Sequence, residues 1–431
     1  MYIQRDTYLE QLRNSRFNGQ VKVITGIRRC GKSFLLFRIY HDYLIKDGVK
    51  KENIIEIVLD DDAYAQLCDP DKLSKYIRSR VTDKNQKYYV FIDEVQYAIP
   101  KEETRNPDTS IRLYNVLNGL IHLGNVDIYV TGSNSKFLSK DVMTEFRGRG
   151  DVIHIYPLSF KEYYDYTGGD KAEAYEQYAM FGGMPYVLSK NTDEQKARYL
   201  SNLFSEVYFK DIVERYRVDL EYILAQLTDS LCSSVGSLTN ANKISNTLTS
   251  VGGRKVSSET IAAYIGYLSD SFLFREAKRF DVKGKRYFQY PYKYYCADVG
   301  LRNARLNFRQ QEESHIMENI IFNELVHRNY SVDVGVVELT ETAKDGKRHQ
   351  KQYEIDFVVN KGLAKYYIQS ALIMDTETKT KQELRSLLGV NDSFKKIIIT
   401  KTHAKPWTDE TGILHIGLYQ FLLDKDVIVS S

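Results

Sequence analysis

Four cysteines in 431 residues, Cys30, Cys68, Cys232 and Cys296, are too few and too scattered for a disulfide framework, and no two stand at the CxxC spacing of a zinc site. That usage fits a reducing cytoplasm. Also lacking is any uncharged apolar run of the roughly 18 residues that span a bilayer, and the charged N-terminal stretch MYIQRDTYLEQLRNSR has no signal-peptide core. A cytoplasmic location without a membrane partner is therefore expected. Neither charge dominates: 60 basic against 57 acidic residues leave a formal net charge of +3, so any face meeting nucleic acid must be local. Proline is scarce at 7, and internal repeats and low-complexity segments are missing. What remains is an ordered chain, 43% hydrophobic, with material for two or three cores.

Residues 20–160 alternate short β-rich runs (VKVIT, IIEIVLD, YYVFID, IYVTGS, VIHIYP) with helical patterns, which predicts an α/β domain with a parallel sheet. From 161 the pattern turns helical to about 230, broken by FGGMP at 181–185. Residues 240–275 read helix, loop, helix, with Ile261, Tyr264, Ile265 and Leu268 on one face, and two strands joined near Gly284 follow. Helix, turn, helix and hairpin in that order predict a winged helix. The last 130 or so residues read as mixed α/β.

GIRRCGKS, Gly26 to Ser33, satisfies GxxxxGK[ST] and lies after a strand and at the start of a helix, where a phosphate loop must lie. Backbone N–H groups of Gly26, Ile27, Arg28, Arg29, Cys30, Gly31, Lys32, Ser33 and Phe34 are the expected ATP contacts, with the Lys32 ammonium on the β/γ oxygens and the Ser33 hydroxyl on Mg²⁺. YYVFIDE delivers Asp93 to the metal and Glu94 to the γ-phosphate side, where a carboxylate orients water. IYVTGSNS puts Ser133 and Asn134 at a strand's carboxyl end, to hold water or phosphate or to form a turn. Arg147 and Arg149 of FRGRGD are candidate phosphoryl-stabilising cations, in cis or from a neighbouring subunit; the second case requires self-association.

In order along the chain, GIRRCGKS, YYVFIDEVQ, VTGSNSKFL, GRGDVIHIYPLSFKEYY, FGGMP and CADVGLRNA resemble the bacterial and archaeal AAA-like P-loop ATPases that carry a C-terminal domain of unknown function related to PD-(D/E)xK nucleases. The resemblance runs from about residue 15 to about 375. It implies an ATPase core (1–160), a helical lid (161–230), a winged-helix domain (231–297) and a nuclease-like end (298–431). It also implies Asn134 as sensor and Arg149 as finger.

Two regions are candidate DNA contacts. The hairpin interleaves Lys278, Arg279, Lys283, Lys285, Arg286 and Lys293 with Phe280, Tyr287, Phe288, Tyr290 and Tyr292, and Arg254 and Lys255 precede the second helix. Double-stranded DNA is the partner such a face would take, the alternatives being a packed hairpin or a protein contact. In the end domain Glu318, Asp356 and Gln369 form a nuclease-like constellation, but position 371, where a lysine would help activate water, is Ala371, and Gln369 brings the metal no charge. Lys365 is a possible replacement on the same strand. A degenerate, non-cutting site is expected. The reading is thus an Mg²⁺-dependent ATPase whose nucleotide state moves these modules; a non-hydrolysing nucleotide switch is the alternative, and an ATP-gated nuclease ranks third.

Overall fold

The structure, a computed structural model, describes residues 2–100, 103, 111–132, 150–252, 256–288, 291–309, 312–342 and 348–430. Two compact units divide the chain, Met1–Pro157 with Asp270–Phe272, and Leu158–Ser269 with Leu273–Ser431. Among the described residues no helix is long and apolar enough to cross a membrane.

In the first unit, β1 (Val21–Thr25), β2 (Ile54–Val58), β3 (Tyr88–Asp93), β4 (Val126–Thr131) and β5 (Gly150–His154) form a five-stranded sheet in the order β2-β3-β4-β1-β5. Every neighbouring pair is parallel. β1, β3 and β4 are buried at every position, which is why they read as near-continuous apolar runs: helices cover a parallel sheet on both faces. Val21, Val23, Ile57, Val90 and Ile92 pack with Leu73 and Ile77 of helix Pro70–Arg80 and with Leu113, Leu117 and Leu120 of helix Arg112–Ile121. Each such buried side chain contributes about 1.5–3 kcal/mol. The arrangement leaves the carboxyl ends of β3, β4 and β1 adjacent, at the edge where open α/β sheets bind ligands.

The second unit starts with helices Phe160–Thr167 and Lys171–Phe181, a helical run from Asp193 to Tyr216, and helix Glu221–Ser233. Ser159 and Glu162 form a capping box at its first helix. β6 (Leu238–Thr239), helices Ala241–Gly252 and Ser258–Asp270, β7 (Phe274–Ala277), β8 (Arg279–Asp281), β9 (Arg286–Tyr287) and β10 (Tyr292–Cys296) follow. β6, β10 and β7 make a three-stranded antiparallel sheet with β10 central.

The hairpin differs from its simplest reading. β8 and β9 pair with each other around Gly284, but β8 also pairs in parallel with β11 (Ser331–Thr342). The tip of the hairpin is therefore the edge of an eight-stranded sheet, which continues through β12 (Arg348–Lys361), β13 (Ala364–Ala371), β14 (Lys395–Thr400), β16 (Leu414–Gly417) and β15 (Trp407–Thr408). Asp281 shapes the turn by accepting the N–H groups of Lys283 and Gly284 at 3.2 and 2.8 Å. Helices Glu313–His327 and Glu377–Leu388 accompany this sheet.

Candidate nucleotide-binding site

The loop between β1 and the helix beginning at Lys32 has a backbone few sequences can follow. Gly26 sits at φ +139°, where a Cβ would lie 2.1 Å from the carbonyl oxygen of Ile155, and Gly31 sits at φ +102°. Only glycine fits both positions. Arg29 also adopts a left-handed conformation, at φ +65°. Arg5 braces the loop from outside the motif: its guanidinium donates to the carbonyl oxygens of Cys30 at 3.3 Å and Tyr156 at 2.8 Å. The Cys30 thiol donates to the Ile155 carbonyl at 3.4 Å.

Lys32 is buried, and its ammonium donates to the loop's own carbonyls, Gly26 at 3.0 Å and Ile27 at 3.1 Å. Its charge is thus held inside the curl of the loop. Ser33 Oγ donates to Asp93 Oδ1 at 3.0 Å, which joins the start of the helix to the end of β3. Phe34, the last residue of the expected contact set, is exposed.

Asp93 is buried, and burial raises its pKa above the ordinary carboxylate value, while hydrogen bonds from Thr131 and Ser33 act the other way. Thr131, at the end of β4, is the member that motif reading missed. Its hydroxyl donates to Asp93 and accepts the backbone N–H of Glu94 at 3.1 Å. Glu94 lies in the left-handed region at φ 50°, a strained conformation for a side chain of its size, and Gln96 Nε2 donates to its Oε2. Ser133, Asn134, Arg147 and Arg149 lie outside the described residues, as do Arg254, Lys255 and Tyr290.

The nuclease-like constellation also assembles, around a residue assigned elsewhere by the sequence. Glu318 and Asp356 are buried, and the Asp356 N–H donates to Gln369 Oε1 at 3.3 Å. At their centre is Lys293, expected among the phosphate-facing cations of the hairpin: its side chain is 3% exposed, with Nζ 2.8 Å from Glu318 and 2.7 Å from Glu354. β10 is the middle strand of its sheet, and Lys293 is buried on it. Ala371 is packed in a cluster with Val337, Leu387 and Ile398, and Lys365 lies over the rings of Phe280 and Phe394 instead of joining the carboxylates.

Five parallel strands, a phosphate loop after β1 and an acid-tipped β3, separated from β1 by β4, define an AAA-type P-loop protein. In agreement, the family model of the AAA domain matches residues 18–164, and that of a domain of unknown function (DUF8612) matches residues 172–312. An uncharacterized protein of Haemophilus influenzae is 34% identical over 426 residues, 98% of each chain, and one of Methanocaldococcus jannaschii is 29% identical over 400 residues, 89% of this chain and 80% of that one. A Walker-type ATPase of Pyrococcus abyssi, among solved structures, is 18% identical, with 70% of this chain and 96% of that one covered at a TM-score of 0.48. The chain belongs to the same family as the Haemophilus protein, and its AAA domain lies at residues 18–164.

Proposed function

We propose that this chain is an Mg²⁺-dependent ATPase that couples nucleotide turnover to a helical lid (161–230), a winged-helix domain (231–297) and a non-cutting nuclease-like domain (298–431). The observation that carries the reading is the 3.0 Å contact between Ser33 Oγ and Asp93 Oδ1, beside a Lys32 ammonium enclosed by the loop. A hydroxyl and a carboxylate are the hard oxygen donors Mg²⁺ takes, and Ser33 and Asp93 would hold it. Bound there, the ion supplies neutralisation of phosphate charge.

The chain's own groups do the rest. Lys32 exchanges the carbonyls of Gly26 and Ile27 for phosphate oxygens, a stronger charge-assisted pairing. Glu94, fixed by Gln96 through one oxygen and by Thr131 through its backbone, orients the attacking water and takes its proton at the carboxylate. Asn134 and Arg149 are proposed as water sensor and phosphoryl-stabilising cation.

Steady-state phosphate release with and without double- and single-stranded DNA tests this. Lys32→Ala should abolish nucleotide binding, and Glu94→Gln should keep binding and lose turnover by about 10²-fold or more. Equal turnover in wild type and Glu94→Gln would remove the assigned base. The second reading, a nucleotide-held switch without turnover, draws on the hydrogen bond from Gln96 that engages the Glu94 carboxylate, and background phosphate release with every DNA would favour it. DNA is proposed as partner because Lys283, Lys285, Arg286 and Tyr287 are exposed at the hairpin tip, with Arg279 and Arg286 beside the Phe288 ring.

A further inference from the structure

Three carboxylates from two elements converge on one ammonium. Lys293 Nζ lies 2.8 Å from Glu318 Oε1, 2.7 Å from Glu354 Oε1 and 3.8 Å from Asp356 Oδ1. Glu318 comes from helix Glu313–His327, the other two from β12, and the lysine from β10. The lysine side chain is 3% exposed, that of Glu318 11% and that of Asp356 10%. Carboxylates this close repel one another strongly in a medium drier than water, and a cation between them relieves that repulsion.

The chain supplies further donors to two of the three acids, while the Glu354 side chain is 33% exposed. Tyr295 donates to Glu318 Oε1 at 2.6 Å, and Asp356 Oδ2 receives both the N–H of Ser370 at 2.8 Å and its hydroxyl at 3.0 Å. Gln369 Nε2 donates outward to Glu383 Oε2 at 3.3 Å. Among the described residues no three His, Cys, Asp or Glu side chains are set to hold a metal ion. Convergent oxygens from separate elements are nonetheless the donor chemistry of a divalent cation. Here a covalently attached cation lies between them, where an ion would otherwise be held.

We propose that Lys293 is a tethered substitute for a divalent metal ion: its ammonium occupies the cation position of the Glu318–Glu354–Asp356 cluster, excludes metal from it, and ties β10 to β12 and helix Glu313–His327. The inference is independent of the nucleotide reading. It gives the absence of a lysine at position 371 a physical context, since the cluster already holds a lysine, placed between the acids instead of beside a metal. A phosphodiester has no approach to an ammonium 3% exposed, so the cluster serves cohesion and not cleavage.

The test is Mn²⁺ binding, followed by electron paramagnetic resonance, to the nucleotide-free full chain carrying Ser33→Ala, which removes the hydroxyl donor at the phosphate loop. That parent and its Asp356→Asn derivative should bind Mn²⁺ indistinguishably. Lys293→Met should add one site per chain at least tenfold tighter than any in the parent, lost again on adding Asp356→Asn, and Mn²⁺ should raise the melting temperature of Lys293→Met but not of the parent. Parent binding that falls on Asp356→Asn overturns the proposal, and so does a folded Lys293→Met that gains no site. If Lys293→Met does not fold, the comparison of the parent with Asp356→Asn decides alone. Mn²⁺-dependent cutting of DNA by the wild type, lost in Asp356→Asn, overturns it as well.

Discussion

Asp298 accepts the backbone N–H of Gly183 through Oδ2 at 2.6 Å, across 115 positions of the chain. Its other oxygen accepts the N–H of Leu301 at 3.0 Å, capping helix Val299–Arg305. Asn303 adds bonds to the carbonyls of Ala179 at 2.9 Å and Met180 at 2.8 Å. FGGMP and CADVGLRNA, read as separate motifs, are therefore two halves of one joint. Gly182 sits at φ +71° with its missing Cβ 2.2 Å from Asp298 Oδ1. Gly182→Ala should destabilise the chain by more than about 2 kcal/mol, because strain and collision add. Gly169→Ala, at φ +86° with open space around it, should cost only the left-handed penalty of about 1–2 kcal/mol. Urea midpoints compare the two directly.

The same carboxylate predicts a pH dependence. Complete burial pushes Asp298 up from 3.8 to about 6, despite the N–H groups of Gly183 and Leu301 that favour its ionised form. The folded chain then holds a proton that the unfolded chain releases, so stability is fullest below the unfolded value and falls as pH rises through about 6. Glu318, which burial raises to about 7 against the pull of Lys293, extends the decline toward neutrality. Asp298→Asn removes the titration and sets an amide N–H₂ against one of the two N–H donors. It should lose about 1–3 kcal/mol and flatten the slope between about pH 4 and 6. Denaturation curves at half-unit pH intervals provide the measurement.

Two residues outside the phosphate-binding motifs should tune the site. Arg5→Ala frees the carbonyls of Cys30 and Tyr156 from their brace, and should raise the nucleotide Kd by about tenfold, or about 1.4 kcal/mol, with the loop sequence untouched. Thr131→Val keeps shape but removes the hydroxyl shared by Asp93 and the Glu94 N–H. If Thr131 positions the acid pair, kcat should fall about tenfold while KM for ATP changes little. Loss confined to KM would assign it to binding alone.

These cases show what the sequence made legible. GIRRCGKS and YYVFIDE are readable because glycine spacing and a buried parallel strand each impose a local pattern, and the sheet places Ser33 and Asp93 in contact. Arg5 and Thr131 carry no such signal: one is a charged residue before a helix, the other the last residue of an apolar strand. The place of Lys293 is hidden from the sequence for a different reason. Interleaved cations and aromatics read as a solvated hairpin, but the chain leaves the three-stranded sheet after β7 for β8 and β9 of the other sheet and returns at β10, and only tertiary pairing brings position 293 beside 318, 354 and 356.

A polar pair inside the first unit's sheet yields the last prediction. Lys22 of β1 and Asp127 of β4 are ion-paired, with side chains 0% and 3% exposed. Asp127 also accepts the Tyr129 hydroxyl at 2.7 Å and the Phe17 N–H at 3.0 Å, and Tyr129 is in turn bonded to Tyr40 at 2.7 Å. Lys22→Met leaves a buried carboxylate with two neutral donors, which should cost about 3–5 kcal/mol. Asp127→Asn leaves a buried ammonium with an amide oxygen, a cost of the same order. The double variant removes both charges while the amide still accepts a hydrogen bond, so its loss should be smaller than the sum of the singles by at least about 2 kcal/mol. A double-mutant cycle in urea measures that difference. Additive losses would mean that the two charges do not stabilise each other, and that the Tyr40–Tyr129–Asp127 chain of hydrogen bonds holds this part of the sheet without help from the lysine.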